Sequence, residues 1–237
     1  MKALVLAAGK GERLRPMTDR CPKPMIPIAG KPLLERIIHQ LRDAGIVELF
    51  INLHHCPDAV KEYFGDGRCF GVQILYSYEP ELLGTAGAAK KLAPSFQEPF
   101  IVYYGDNYVE IDLLELLRFH REKKGLGTIA VFDARETNSS GVIEADQHDR
   151  IHRFFEKPAP GETPSRRVNA GIYVLEPAIF QHIPSDKTSD FGREIFPKLL
   201  AEGEALYAYP MSGTVIGIDT PALISRLEAY LSTGGIR

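Results

Sequence analysis

Apolar and polar positions follow two rhythms along this chain. Short, nearly unbroken apolar runs bounded by Gly, Pro, Asn or Asp predict buried strands. They are "KALVLAA" (2–8), "ELFINL" (48–53), "VQILYSY" (72–78), "FIVYYG" (100–105), "GTIAVFD" (127–133), "GVIEA" (141–145), "IHRFFE" (151–156), "VNAGIYVL" (168–175) and "TVIGID" (214–219). Helical spacing of apolar residues predicts helices over 32–45 and 112–125, the second opening on Asp112 and Glu115 as a capping box and closing at Gly125. Two more are expected over 191–203 and 221–235, with Pro197 breaking or kinking the former. Strands alternating with helices predict an α/β fold with a mostly parallel sheet covered by helices.

Composition narrows the class without changing that picture. The 237 residues are 44% hydrophobic and 25% charged, as in an ordinary globular chain, and are expected to form a single domain over 1–237. The only linker-like run, "EKPAPGETPSRR" (156–167), reads as a surface loop. The opening apolar run is too brief for a signal peptide, and none approaches the roughly 18 residues that would span a bilayer. Cys21, Cys56 and Cys69 are an odd set with no C-x-x-C pair, which argues against a disulfide framework or zinc site. A soluble, cytoplasmic protein with no membrane partner is expected. "LHHC" (53–56) puts metal-capable side chains on opposite faces of a strand, a poor ligand set.

The formal net charge is −3, yet residues 10–31 carry Lys10, Arg13, Arg15, Arg20, Lys23 and Lys31 against only Glu12 and Asp19. A basic segment in a mildly acidic chain either snorkels along the surface or faces a compact anion, and the glycines among its charges favour the second. The first aromatic residue is Phe50, so the segment has nothing on which to stack bases, and a nucleic-acid partner is not expected. The segment begins in "LAAGKGERLRP" (6–16), where a strand runs into a glycine-containing loop able to turn N–H groups toward phosphate oxygens. A dinucleotide fingerprint would need glycine where Leu14 stands, and the Walker pattern is absent. Gly9 and Gly11 could equally serve backbone conformation. Arg13 could grip phosphate bidentately, and Pro22 and Pro24 stiffen the backbone that aims Lys23.

The stretch "LAAGKGERLRPMTDRCPKPMIPIAGKPLLERII" resembles the sugar-1-phosphate nucleotidyltransferases, the NDP-sugar pyrophosphorylases. The likeness continues in "ELLGTAGAAK" (81–90), "VYYGDN" (102–107), "SGVIEAD" (140–146), "FFEKP" (154–158) and "VNAGIYVLEP" (168–177), in the family's order. It implies a Rossmann-like, doubly wound, mostly parallel (mixed) sheet with helices on both faces. It implies a reaction in which a nucleoside triphosphate and a sugar 1-phosphate give an NDP-sugar and pyrophosphate with Mg²⁺. By that resemblance Ala8, Gly9, Gly11 and Arg13 hold the triphosphate, Lys23 bridges the reacting phosphates, and Gly84, Thr85 and Ala86 line the base. Gly141, Glu156 and Asn169 would bind the sugar, Lys157 its phosphate, and Asp106 the metal. A homo-oligomer is left open.

Two departures stand out. Ser140 replaces an aromatic residue common before the glycine of "SGV", and the family's late "DIGTP" reads "GIDTP" here, over 217–221. Aligned on Thr220 and Pro221, the second metal-binding aspartate falls on Gly217, with Asp219 the nearby carboxylate. Two residues along a strand keep the same face, shifted about 6 to 7 Å. "LLGTAG" resembles the guanylyltransferase branch, so GTP with mannose 1-phosphate or a related hexose or heptose phosphate is the leading expectation. dTTP, UTP or CTP is the alternative, as is a non-catalytic regulatory subunit that binds a nucleotide sugar. The sequence has none of the hexapeptide repeats of a left-handed β-helix, so a second, acyltransferase activity is not expected.

Overall fold

The computed structural model describes residues 1–138, 140–185 and 187–234. The chain folds as two compact units interleaved along the sequence. The first comprises Met1–Leu82, Tyr103–Glu110 and the chain from Thr214 onward; the second comprises Leu83–Val102 and Ile111–Gly213.

In the first unit three parallel strands lie side by side: Lys2–Leu6, Glu48–Leu53 and Gln73–Tyr78. Their register pairs Leu6 with Asn52 and Asn52 with Ser77, so all three end at one edge. Ala3, Leu4 and Val5 are wholly buried, as befits a strand covered on both faces. Helix Leu33–Asp43 buries Leu34, Ile37, Ile38 and Leu41 on one face, together with Glu35, whose carboxylate accepts from Lys31 Nζ and Tyr63 Oη. A short antiparallel ribbon joins Asn107–Val109 to Val215–Gly217, opposing Asn107 to Gly217.

The second unit is mostly antiparallel. Ile151–Glu156 pairs with Gly141–Ala145, which meets Arg167–Leu175 at Val142 and Val168. Arg167–Leu175 pairs antiparallel with Gly127–Asp133, which takes Leu206–Pro210 as a parallel neighbour. The rings of Tyr173, Phe191 and Phe196 pack together in its core. With parallel and antiparallel pairs and helices between, the architecture is the mixed α/β type expected.

Several boundaries differ for physical reasons. Helix Leu113–Lys123 is capped by Asp112, whose carboxylate accepts from the N–H groups of Leu114 and Glu115. It ends on left-handed Lys124 rather than at Gly125. Gly125 serves close passage instead, since a Cβ there would lie 2.6 Å from the Ala205 carbonyl oxygen. Residues 191–203 are two pieces: a wide π turn over Phe191–Ile195, then α-helix over Phe196–Ala201. Pro197 falls in the first turn of the latter, where its missing N–H costs nothing. The last helix, Pro221–Ser232, stops short of the expected 235, and Gly235 lies outside the described residues. Helix Pro57–Phe64 and strand Leu206–Pro210 are additions to the predicted set.

Candidate functional site

The glycine-containing loop leaves the strand Lys2–Leu6 and enters a single 3₁₀ turn, Glu12–Leu14, anchored by buried Leu14. The two glycines serve different ends. Gly11 is left-handed at φ 63°, and a Cβ on it would lie 2.8 Å from Thr18 Cγ2 and 3.3 Å from Lys23 Cβ. Thr18 Oγ1 donates to the Gly11 carbonyl at 2.8 Å, closing the loop on itself. Gly11 is therefore a conformational glycine. Gly9 has an ordinary φ and open space where a Cβ would stand, so neither strain nor packing within the chain calls for glycine there. Ala8 beside it is buried.

Lys23 begins a 3₁₀ turn whose N-cap is Pro22 and whose second residue is Pro24. The lysine is only 7% exposed, yet its ammonium has two carboxylate partners. Nζ lies 2.7 Å from Asp106 Oδ2 and 2.5 Å from Asp219 Oδ1, and Arg13 Nη2 donates to the same Asp219 oxygen at 2.7 Å. Residues far apart in sequence thus form one charged cluster within the first unit.

Local geometry explains how the carboxylates arrive. Asp106 sits in the turn after Phe100–Tyr104, and the Gly105 N–H donates to the Leu6 carbonyl at 2.9 Å. A Cβ on Gly105 would stand 2.7 Å from that oxygen, so only glycine lets the turn close on the first strand. The Asp106 carbonyl accepts from the Ile218 N–H at 3.0 Å, which fixes Asp219 one residue further on. Thr220, not Asp219, caps the last helix: its Oγ1 accepts from the Leu223 N–H. Asp219 is thereby free to face the basic loop. A Cβ on Gly217 would lie 3.7 Å from Asp219 Oδ2, so the Asp219 carboxylate reaches back over the position that the altered motif vacates.

Among the described residues, no group of three or more His, Cys, Asp or Glu side chains could hold a metal ion. Asp106 and Asp219 nevertheless converge on a single cation, Lys23 Nζ. Released from that ammonium, the two carboxylate oxygens would form the kind of donor set that Mg²⁺ takes, which commonly has one or two protein carboxylates with water and phosphate oxygens completing it.

The other predicted residues lie in the second unit. Gly84, at φ 76°, starts helix Gly84–Lys91, and a Cβ on it would collide with the Ser189 carbonyl. The N–H groups of Ala86 and Gly87 bond that same carbonyl, and the Thr85 N–H and hydroxyl both donate to Asp190 Oδ1 at 3.1 Å. The helix start is thus held by Ser189 and Asp190. Gly141 and Glu156 face each other across an antiparallel pair, and Glu156 Oε2 would lie 3.3 Å from a Cβ on Gly141 and 2.8 Å from one on Gly192. Burial raises the Glu156 pKa; Lys157 and Arg193 oppose the shift, and Asp190 adds to it. Lys157 is exposed and left-handed at φ 56°, a conformation that non-glycine residues seldom hold without a local reason. Asn169 spends its amide on its own strand, donating to Tyr173 Oη and accepting from the Gly171 N–H across an irregular register. Asp190 and Gly192 carry the link between the helix start and Glu156. Their signal in the sequence is the small polar cluster "SDFG" (189–192) before an apolar run.

Comparison with known proteins fits this arrangement. The "Nucleotidyl transferase" family model matches residues 2–222. A UTP–glucose-1-phosphate uridylyltransferase from Synechocystis sp. is 40% identical over 225 residues, covering 89% of this chain and 58% of that protein. A mannose-1-phosphate guanylyltransferase from Mycobacterium tuberculosis is 35% identical over 234 residues, 98% of this chain and 65% of that protein. The chain thus spans somewhat under two thirds of the length of these relatives. The crystal structure of HddC from Yersinia pseudotuberculosis superposes with a TM-score of 0.83 at 25% identity, covering 97% of this chain and 99% of that one. A strand-to-loop start, a buried lysine between two aspartates, and a match running from the first strand into the last helix agree on one assignment: this chain belongs to the nucleotidyl transferase family.

Proposed function

We propose that the chain catalyses nucleotidyl transfer from a nucleoside triphosphate to a sugar 1-phosphate. A sugar-phosphate oxygen attacks the α-phosphorus, the bond from that phosphorus to the bridging oxygen breaks, and pyrophosphate leaves with the bond's electron pair. The obstacle is repulsion between two polyanions, so the reaction asks for fixed positive charge and in-line positioning rather than a covalent intermediate. The observation that carries the proposal is the convergence of Arg13, Lys23, Asp106 and Asp219 beside the loop that contains Gly9 and Gly11. In this reading Arg13 clamps the triphosphate over Ala8, Gly9 and Gly11, and Lys23 lies against the reacting phosphates. Mg²⁺ held by Asp106 and Asp219 would neutralise charge on the leaving pyrophosphate. Gly84, Thr85 and Ala86 face the base, Gly141, Glu156 and Asn169 the sugar, and Lys157 its phosphate.

GTP with mannose 1-phosphate is the leading pair, supported by "LLGTAG" and by the 35%-identical guanylyltransferase. UTP with glucose 1-phosphate is the second reading, supported by the 40%-identical uridylyltransferase. We also place the enzyme in the cytoplasm, where its three free cysteines would stay reduced, and leave a homo-oligomer open. No helix among the described residues is long and apolar enough to cross a membrane.

Pyrophosphate release measured for four nucleoside triphosphates against several sugar 1-phosphates tests the proposal. The GTP and mannose 1-phosphate pair is expected to turn over fastest. Tight binding of an NDP-sugar with no turnover of any pair would instead establish a regulatory subunit.

A further inference from the structure

We infer that Asn52 and Glu79 are a positioning pair that fixes where the glycine-containing loop leaves its strand, and hence how the loop presents itself to the triphosphate. The inference rests on reading that loop as the triphosphate cradle. Leu6 is the last residue of the first strand and pairs in register with Asn52 on the next. The following amide, that of Ala7, bonds a side chain rather than a main-chain carbonyl: its N–H donates to Asn52 Oδ1 at 2.7 Å. Both residues are buried, Ala7 at 2% and Asn52 at 4% exposure, so an apolar side chain at 52 would leave a buried N–H unpaired.

Glu79 takes up the other half of the Asn52 amide. Asn52 Nδ2 donates to Glu79 Oε1 at 2.8 Å, and Glu79, 1% exposed, follows the third parallel strand. The Ala7 N–H can only donate, so the Asn52 oxygen must face Ala7 and its NH₂ must face the Glu79 carboxyl oxygen. Glu79 is itself anchored: its N–H donates to the Leu53 carbonyl at 2.8 Å, and its carbonyl lies 2.8 Å from His54 Nδ1. The ends of three adjacent strands are tied in a row, and the loop departs from the last tie, one residue before Ala8 and two before Gly9. Asn52 breaks the apolar run "ELFINL", and packing alone gives no reason for an amide there.

The test reverses the polarity of the pair. Asn52→Asp keeps an acceptor for Ala7 but sets two carboxylates face to face, and should weaken binding of magnesium GTP and magnesium UTP at least tenfold by calorimetry. Glu79→Gln alone retains an acceptor for Asn52 and should bind within threefold of wild type. The double variant Asn52→Asp/Glu79→Gln restores one donor and one acceptor in the opposite sense, and should recover both melting temperature and nucleotide affinity to within threefold. A sugar 1-phosphate KM unchanged across the set would place the effect on the loop alone. Should Asn52→Asp fail to fold, the double variant carries the test: folding and near-normal binding support the pair. A double variant no better than Asn52→Asp overturns the pair, as does an Asn52→Asp protein that melts lower yet binds nucleotide normally. Wild-type protein that binds neither nucleotide overturns the reading of the loop, and the inference falls with it.

Discussion

The Asp219 carboxylate stands over the bare α-carbon of Gly217, with Oδ2 3.7 Å from where a Cβ at 217 would be. A side chain issuing from either residue therefore reaches the same region, and the swapped order of "GIDTP" preserves the carboxylate beside Lys23. Exchanging the two, Gly217→Asp with Asp219→Gly, is expected to retain at least a tenth of wild-type kcat. Asp219→Asn and Asp106→Asn should each raise the Mg²⁺ concentration needed for half-maximal rate. A Mg²⁺ titration of the four proteins checks this, and an unshifted curve for Asp219→Asn would leave Asp106 as the sole carboxylate ligand.

Lys23→Ala should lower kcat at least about a hundredfold, the scale on which a preorganised transition-state donor acts. The fold should survive, because Asp106 and Asp219 keep 38% and 35% of their side-chain surface and can be solvated once the ammonium is gone. Steady-state kinetics beside a circular-dichroism melt separates the two effects. A kcat within threefold of wild type would remove Lys23 from the chemistry.

Arg13 gives a contrasting case. Its side chain is 71% exposed, so its ion pair with Asp219 contributes little to stability, less than about 1 kcal/mol. Arg13→Ala should leave the melting temperature nearly unchanged while raising triphosphate KM and lowering kcat together, since the proposed clamp holds the triphosphate in the ground state and grips the reacting phosphates more strongly in the transition state. Unchanged kinetics would return Arg13 to an ordinary surface position.

Much of this arrangement was legible in sequence, for reasons that differ from residue to residue. Strand Glu48–Leu53 was read to the residue because its apolar run, interrupted only by Asn52, is bounded sharply by Glu48 and by His54 just beyond it. Strand Leu206–Pro210 was missed because its buried and half-exposed positions alternate through "LYAYP", with little apolar contrast to mark its ends. Lys23 was found because prolines on both sides set it apart from a solvated lysine. Its two carboxylate partners could be named but not joined to it, since separations of 83 and 196 residues leave no local trace. Asp190 escaped notice because its task, accepting from Thr85, exists only once residues 105 apart in sequence meet.

In its proposed sugar-binding role, Glu156 sets stability against binding. Burial keeps its carboxyl protonated to higher pH in the folded chain than in the unfolded one. The associated stabilisation is complete below about pH 4.3 and is lost as pH rises through the folded value. Glu156→Gln removes the ionising group, so its melting temperature should exceed that of wild type at pH 7 to 8, with the difference closing below about pH 4. Its sugar 1-phosphate KM should rise about tenfold or more. Melting curves across pH, together with kinetics, check both; a melting difference that grows on acidification would contradict the sign.

The interleaving of the two units has a consequence for biosynthesis. Arg13 and Lys23, then Asp106, then Asp219 come from three successive segments of the first unit, with most of the second unit encoded between the last two. At about 5 to 20 residues per second, the ribosome adds the final segment several seconds after Asp106 has emerged. Until then Lys23 has only one of its two carboxylate partners, and the strand Val215–Gly217 that completes the ribbon has yet to be made. The first unit, the one proposed to carry the phosphate chemistry, therefore cannot close its charged cluster until the chain through Asp219 has been made, after the whole of the second unit.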